Sequence, residues 1–179
     1  MSRHYLEPLF APQSVAVVGA SERPGSLGHD VFRNLLAGGF KGRLVPVNPR
    51  HKEILGERCY RSLAEVDASP PIELIVVTTP ATAVLDVLND AAKAGVKHAI
   101  VLAAGFGEIG EAGKARELAV RDAAKRLGVR LIGPNCLGVM RPLIGFDATF
   151  GRTPARPGPI ALVSQSGAIC TALVDWAWA

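Results

Sequence analysis

The residues best placed to do chemistry fall in one stretch, Val18-Gly19-Ala20-Ser21-Glu22-Arg23-Pro24-Gly25-Ser26-Leu27-Gly28. It follows directly on a continuous apolar run, Ser14–Val18, that reads as a strand. A Gly-rich turn at that point sets backbone N–H groups and a helix N-terminus where a phosphate can sit. The alternative is a plain βα turn with a glycine cap; the clustering of small residues favours the phosphate reading. The dinucleotide fingerprint needs G-x-G-x-x-G and an acid about 20 residues further on. Here Gly19-Ala20-Ser21 lacks the second glycine, and the next strand ends Val47-Asn48-Pro49-Arg50, with no acid. An NAD reading is therefore weak. Arg50 either faces an extra phosphate, as on the ribose of NADP or CoA, or is a solvated surface residue.

Other reactive side chains have plainer roles. Glu108 and Glu111 bracket Ile109-Gly110 and suit the charged start of a helix better than paired acid–base work. Cys136 has no matching His spacing and reads as a packed thiol. His98 lies in a strand pattern and reads as a packed or edge residue. His29 opens a helix beside the phosphate loop, in reach of a ligand. The tryptophans Trp176 and Trp178 read as packing against a further domain; left exposed, they would promote association into a homo-oligomer.

These residues must be positioned by alternating strands and helices. Strand patterns cover residues 42–47, 73–77, 97–102 and 129–132 in addition to Ser14–Val18. Helical patterns cover 28–37, 82–94 and 113–127, each closed by glycine. Pro46 suits an edge strand. The rhythm predicts an α/β, Rossmann-like domain: a parallel sheet with helices on both faces. Near-continuous apolar strands agree, because both sheet faces are then buried. Residues 1–140 form this domain. Residues 141–158, with three prolines and several glycines, read as a linker or crossing segment. A new strand at 159–163, the turn at 164–168 and a helical run to 179 read as the start of a second, flavodoxin-like α/β domain, cut early from a longer protein.

Composition bounds the function. The chain has 179 residues, 49% apolar and 20% charged, which fits a globular domain with a real core. Its net charge is +4 and positive residues are scattered; aromatics make up only 6%, too few for a nucleic-acid stacking platform. The longest uncharged stretch, residues 157–174, is interrupted by proline, glycine and hydroxyl residues and does not read as a membrane span. The start has no apolar signal core. Three widely spaced cysteines give no disulfide or zinc pattern, and a reducing cytoplasm is the simple reading.

Four segments together carry a resemblance: Phe10-Ala11-Pro12-Gln13-Ser14-Val15-Ala16-Val17-Val18-Gly19-Ala20-Ser21, Pro46-Val47-Asn48-Pro49, Gly133-Pro134-Asn135-Cys136-Leu137-Gly138 and Val163-Ser164-Gln165-Ser166-Gly167-Ala168. In this order they resemble the N-terminal CoA-binding domain of the NDP-forming acyl-CoA synthetases, a family that includes the succinyl-CoA synthetase α-subunit. Two branches fit: the ADP-forming acetate–CoA ligases, and the bacterial protein lysine acetyltransferases that fuse a synthetase-like region to a GNAT domain. Residues 33–40 and 174–177 look like the acetyltransferase branch.

The resemblance implies a site for CoA or acetyl-CoA. Gly19, Ala20, Ser21, Pro24, Gly25, Ser26 and Gly28 would hold the CoA phosphates and part of the pantetheine arm. Val47, Asn48, Pro49 and Arg50 would meet the adenine–ribose end. Thr78, Thr79 and Pro80 would line the pantetheine path. Ala103, Ala104, Gly105 and Phe106 would lie near the thiol end, and Pro134, Asn135 and Cys136 would shape the floor. In the succinyl-CoA synthetase relatives a Glu in the region of Glu108 is close to CoA. The family's phosphorylated histidine belongs to a second domain, and His4, His29, His51 and His98 do not match its motif. The chain is thus expected to bind CoA or an acyl-CoA without turnover, beside the remaining domains of its parent and with no nucleic acid or membrane as partner. A stand-alone regulatory CoA module and an NAD(P)-binding oxidoreductase domain are the rival readings.

Overall fold

The computed structural model describes residues 4–67 and 69–178. After a one-turn helix α1 (Glu7–Phe10), the elements run β1 (Ser14–Val18), α2 (Leu27–Ala37), β2 (Arg43–Val47), a small hairpin β3 (Glu53–Ile54) and β4 (Glu57–Arg58), then β5 (Leu74–Val77). They continue with α3 (Val84–Lys93), β6 (His98–Val101), α4 (Glu111–Leu127), β7 (Arg130–Ile132), a second hairpin β8 (Gly138–Arg141) and β9 (Phe146–Thr149), and α5 (Gly167–Trp176). The main sheet is parallel, five-stranded and ordered β2-β1-β5-β6-β7. This is the Rossmann-like α/β architecture expected from the sequence. Its strand order reverses between β1 and β5, which makes their carboxyl ends the switch point where ligands bind in such sheets. Pro46 lies in the edge strand β2, where its missing N–H takes nothing from the interior of the sheet.

Each strand serves both faces by its period of two. Ala16, Val18, Ile75 and Val77 face the helices α3 and α4, packing with Val84, Leu88, Val120 and Ala124. Val15, Val17, Leu74 and Val76 face the other way, toward Val31, Phe32 and Leu35 of α2. Burying each large side chain in this way stabilises the fold by about 1.5–3 kcal/mol. The strands are therefore apolar at every position, and the helices amphipathic.

Two expectations are corrected. Residues 141–158 are not a linker throughout. The β8–β9 hairpin returns onto the α2 face, where Phe146 and Ala148 are fully buried in the core. Asn34 of α2 fixes it by donating from Nδ2 to Thr149 O at 2.9 Å and Gly151 O at 2.8 Å. Of the glycines that suggested a crossing segment, Gly145 instead allows close approach: a Cβ there would lie 2.4 Å from Gly38 O, and just before the segment a Cβ on Gly138 would lie 2.0 Å from Ala148 O. Residues 159–163 form no strand. They meet no partner strand among the described residues, and Ile160 and Val163 are 90% and 96% exposed. The helix expected after them is present as α5, with Ser166 as N-cap accepting from Ile169 N–H.

Candidate functional site

The loop after β1 is folded back on the helix that follows it. Gly19 N–H donates to Val47 O at 2.9 Å, and Gly19 takes φ +95°, a conformation that favours glycine. A Cβ on Gly28, in the first turn of α2, would stand 2.0 Å from Gly19 O. The two glycines thus bring the α2 N-terminus against the ends of β1 and β5. Ser26 caps the helix, accepting from His29 N–H at 3.3 Å and donating to Arg23 O at 2.8 Å. Ser21 Oγ accepts from Arg23 N–H at 3.0 Å. Pro24 and Gly25 form the exposed crest of the loop. The Leu27 and Gly28 N–H groups precede the i→i−4 ladder and, with the positive end of the helix dipole, favour an anion.

The exit of β2 is tied to this loop. Asn48 Nδ2 donates to Ala20 O at 2.8 Å, and Asn48 Oδ1 accepts from Arg50 N–H at 2.9 Å. An amide engaged with the loop therefore stands where a dinucleotide-binding sheet presents its acid. Val47 is buried in the core facing α3 and offers the loop only its carbonyl. Pro49 and Arg50 are exposed.

At the switch point, Thr78 Oγ1 donates to Val18 O at 3.0 Å. Thr79 Oγ1 is the one buried side-chain polar atom without a hydrogen-bond partner among the described residues. Leaving such a group unpaired costs about 1–3 kcal/mol. Pro80 then leads into the turn before α3.

Past β6, Ala103 and Phe106 are buried, and the Phe106 ring lies in the core between the sheet, α3 and α4. Phe106, expected near the thiol end, turns its ring into the core, so that only the backbone of this loop and the exposed Ala104 face outward. Glu108 accepts from the N–H groups of Gly105 and Phe106, which hold its carboxyl below the usual range, Gly105 foremost. Arg116 donates to Gly105 O, and Glu117 accepts from Gly107 N–H at 3.0 Å. Glu111 opens α4 and pairs with Lys114 at 2.8 Å. Glu111 thus charges the first turn of α4 as its position suggested, whereas Glu108 orders the loop before it and no side chain caps the helix. Beyond β7, Asn135 N–H donates to Ala103 O at 3.0 Å, which joins residues 134–136 to the β6 exit. Cys136 Sγ donates to Val101 O at 3.3 Å, and burial pushes its thiol up to about 11. At neutral pH it is a packed thiol and no nucleophile.

His29 is held by Asp30 at 3.2 Å, whose carboxylate also meets Arg33 at 3.2 Å. His98 lies at the amino end of β6, its ring nitrogens 3.3 Å from Glu73 O and 3.0 Å from Tyr5 O, which fits the packing role. A cavity of about 350 Å³ opens beside it, lined in part by Lys97, His98 and Arg130, at the end of the sheet opposite the phosphate loop. Among the described residues no group of His, Cys, Asp and Glu is arranged to hold a metal, and no helix is long and apolar enough to cross a membrane.

The strand ends thus gather an anion cradle, an unpaired hydroxyl and a polar exit strip along one edge of the sheet. Residues 13–142 match the CoA binding domain family. The chain belongs to that family. This CoA-binding domain is 41% identical over 175 residues to the α-subunit of acetate–CoA ligase [ADP-forming] I of Pyrococcus furiosus, a match covering 96% of the chain and 37% of the relative. It is 40% identical over 170 residues to acetate–CoA ligase [ADP-forming] of Methanocaldococcus jannaschii, covering 95% of the chain and 23% of the relative. Among solved structures, acetyl-coenzyme A synthetase 1 of Ca. Korarchaeum cryptofilum superposes with TM-score 0.89 at 40% identity, covering 96% of this chain and 36% of that one. The chain therefore spans between 23% and 37% of the length of these proteins, and corresponds to the CoA-binding domain of the ADP-forming acyl-CoA synthetases. The acetyltransferase branch gains no support from these ligases.

Sequence reasoning missed the β3–β4 hairpin of the CoA-binding domain. Its turn is Leu55-Gly56, both with positive φ (49° and 83°), the geometry of a type I′ hairpin. The Asn-Gly signal of such turns is absent, so only the pairing of buried Ile54 with a following Gly56 hinted at it. Glu22 Oε1 accepts from Leu55 N–H at 2.6 Å, and the Arg58 guanidinium lies 4.9 Å above the Tyr60 ring. These residues wall the crevice on the β2 side.

Proposed function

We propose that this chain binds CoA, and its acetyl thioester, along the carboxyl edge of the sheet, as the CoA-binding part of an ADP-forming acyl-CoA ligase. The observation that carries the reading is the Gly19–Gly28 contact, which sets the N-terminus of α2 against the switch point beside the unpaired Thr79 hydroxyl. The diphosphate lies on the loop formed by Gly19, Ala20, Ser21, Pro24, Gly25, Ser26 and Gly28. The adenine–ribose end meets Asn48, Pro49 and Arg50, with Arg50 toward the ribose phosphate. The pantetheine arm passes Thr78, Thr79 and Pro80 toward Ala104, Gly105 and the turn at Pro134, Asn135 and Cys136. Ala103, Phe106 and Val47 support this path from the core.

The chain's own residues bind and orient; among the described residues none is arranged as a nucleophile. Residues 159–178 begin the next domain of the parent, a reading supported by the exposure of Ile160, Val163 and Trp176 and by the greater length of the relatives. Calorimetric titration of the chain with CoA, acetyl-CoA, dephospho-CoA and NAD tests the proposal. CoA heat with NAD silent is expected. NAD binding with CoA silent would sink it.

A further inference from the structure

The phosphate loop carries a carboxylate, Glu22, which if free would repel a diphosphate nearby. Glu22 is engaged: Oε1 accepts the Leu55 N–H at 2.6 Å, across 33 residues of chain. Leu55 begins the hairpin turn at φ +49°, where a bulky residue is disfavoured, and its side chain packs against the core that faces α2. A second tie, Asn48 to Ala20 O, joins the same two segments. The strip between and beyond these ties carries Arg50, Lys52 and Arg58, all exposed and in no ion pair among the described residues, together with the exposed carboxylates Glu53, opposite Arg58 across the hairpin, and Glu57.

The geometry points to Glu22 as a positioning residue that latches the β3–β4 hairpin to the phosphate loop and so holds Arg58 of the hairpin, and the segment with Arg50 and Lys52 that leads into it, in register with the ribose phosphate of CoA. Glu22 acts through Leu55. Its acceptor oxygen matters, and its charge is a burden that the Leu55 N–H offsets. The inference rests on the CoA reading above and deepens it to a determinant of selectivity for the ribose phosphate.

The test compares wild type, Glu22→Gln and Glu22→Ala in titrations with CoA and with dephospho-CoA. Gln keeps an oxygen acceptor for Leu55 and drops the charge; Ala removes both. Glu22→Gln is expected to bind CoA at least as tightly as wild type. Glu22→Ala is expected to bind CoA about threefold to tenfold more weakly, the loss of one exposed hydrogen bond of ordinary net strength. Dephospho-CoA carries the same diphosphate, so it follows CoA in Glu22→Gln, and in Glu22→Ala it is weakened less than CoA. Equal CoA affinity in wild type and Glu22→Ala, equal weakening in both variants, or the same loss for both ligands would each overturn the latch. Amide exchange at Leu55 gives a ligand-free reading. It accelerates in Glu22→Ala and stays at the wild-type rate in Glu22→Gln; no acceleration in Glu22→Ala overturns the latch even if CoA binding by the wild type fails.

Discussion

Gly28→Ala isolates the contact on which the phosphate loop is built. In an exposed helix this substitution would stabilise by about 0.8–1.0 kcal/mol, because alanine is the better helix former. Here the new methyl would sit 2.0 Å from Gly19 O, about 1.4 Å inside ordinary contact. Both groups near the clash are main chain: Gly19 is fixed by its bond to Val47, and Gly28 by the α2 helix. Neither can yield as a flexible side chain would. Overpacking costs about 1–3 kcal/mol, and a clash this deep between two main-chain segments lies at the upper end, so the sign reverses and the net loss is about 2 kcal/mol. For a domain of this size that lowers Tm by about 4–8 °C, at about 2–4 °C per kcal/mol. CoA affinity should fall further than stability, since the loop must lift from the helix end. Gly25→Ala is the control: φ is +74° but nothing lies within 4 Å, so only backbone strain of about 1 kcal/mol is added. Differential scanning calorimetry and CoA titration read both variants. A Gly28→Ala protein with raised Tm and intact CoA binding would refute the reasoning.

Phe146→Ala should destabilise by about 3–5 kcal/mol, as a fully buried ring demands; a change below about 1 kcal/mol in urea unfolding would return the β8–β9 segment to the status of a linker. Asp147 is raised above the usual carboxylate range, chiefly by burial. A raised folded value means stability present below the unfolded pKa and lost as pH rises through the folded one. Asp147→Asn, which keeps an acceptor for the Thr149 hydroxyl, should therefore raise Tm at pH 7 and leave it unchanged in acid. The Cys136 thiol, raised to about 11 from 9.0 by burial, follows the same sign: its stabilisation declines between pH 9 and 11, and at pH 8 iodoacetamide should leave it unmodified in peptide mapping of the native protein. Asn48→Ala should weaken CoA binding about tenfold while the sheet stays folded, because the lost bond to Ala20 O loosens the loop and not the core.

The main sheet was legible because its strands are buried on both faces. Ser14–Val18 and Leu74–Val77 read as unbroken apolar runs, and the helices between them close at glycines. The phosphate loop was legible for a related reason: small residues crowd where backbone must approach backbone. What escaped has no local signal. The β3–β4 turn uses Leu55 in a conformation its side chain opposes, and it is held by a glutamate 33 residues away. The β8–β9 hairpin was hidden by the prolines and glycines that follow it, Pro154, Pro157, Gly151 and Gly158, and only its landing on α2 shows that Gly138 serves strand contact and Gly145 contact with the end of α2. The strand pattern at residues 159–163 misled because a strand exists only beside another strand. Phe106 misled differently: its neighbours at a strand exit face outward, while its own ring turns into the core.

The helix α2 is pinned at both ends. Its first turn is pressed on Gly19 O, and its last turn is bound through Asn34 to Thr149 and Gly151 and crowded at Gly38 by Gly145 O, 2.6 Å from where a Cβ would be. Eleven residues make a rod of about 16 Å. A rod fixed so at each tip transmits axial load in place of absorbing it by bending. The chain leaves the hairpin at Gly151, beside one tip, and the phosphate cradle sits at the other. Any pull on the segment after Gly151 is thus delivered, along one stiff strut, to Ser26 and the loop it caps.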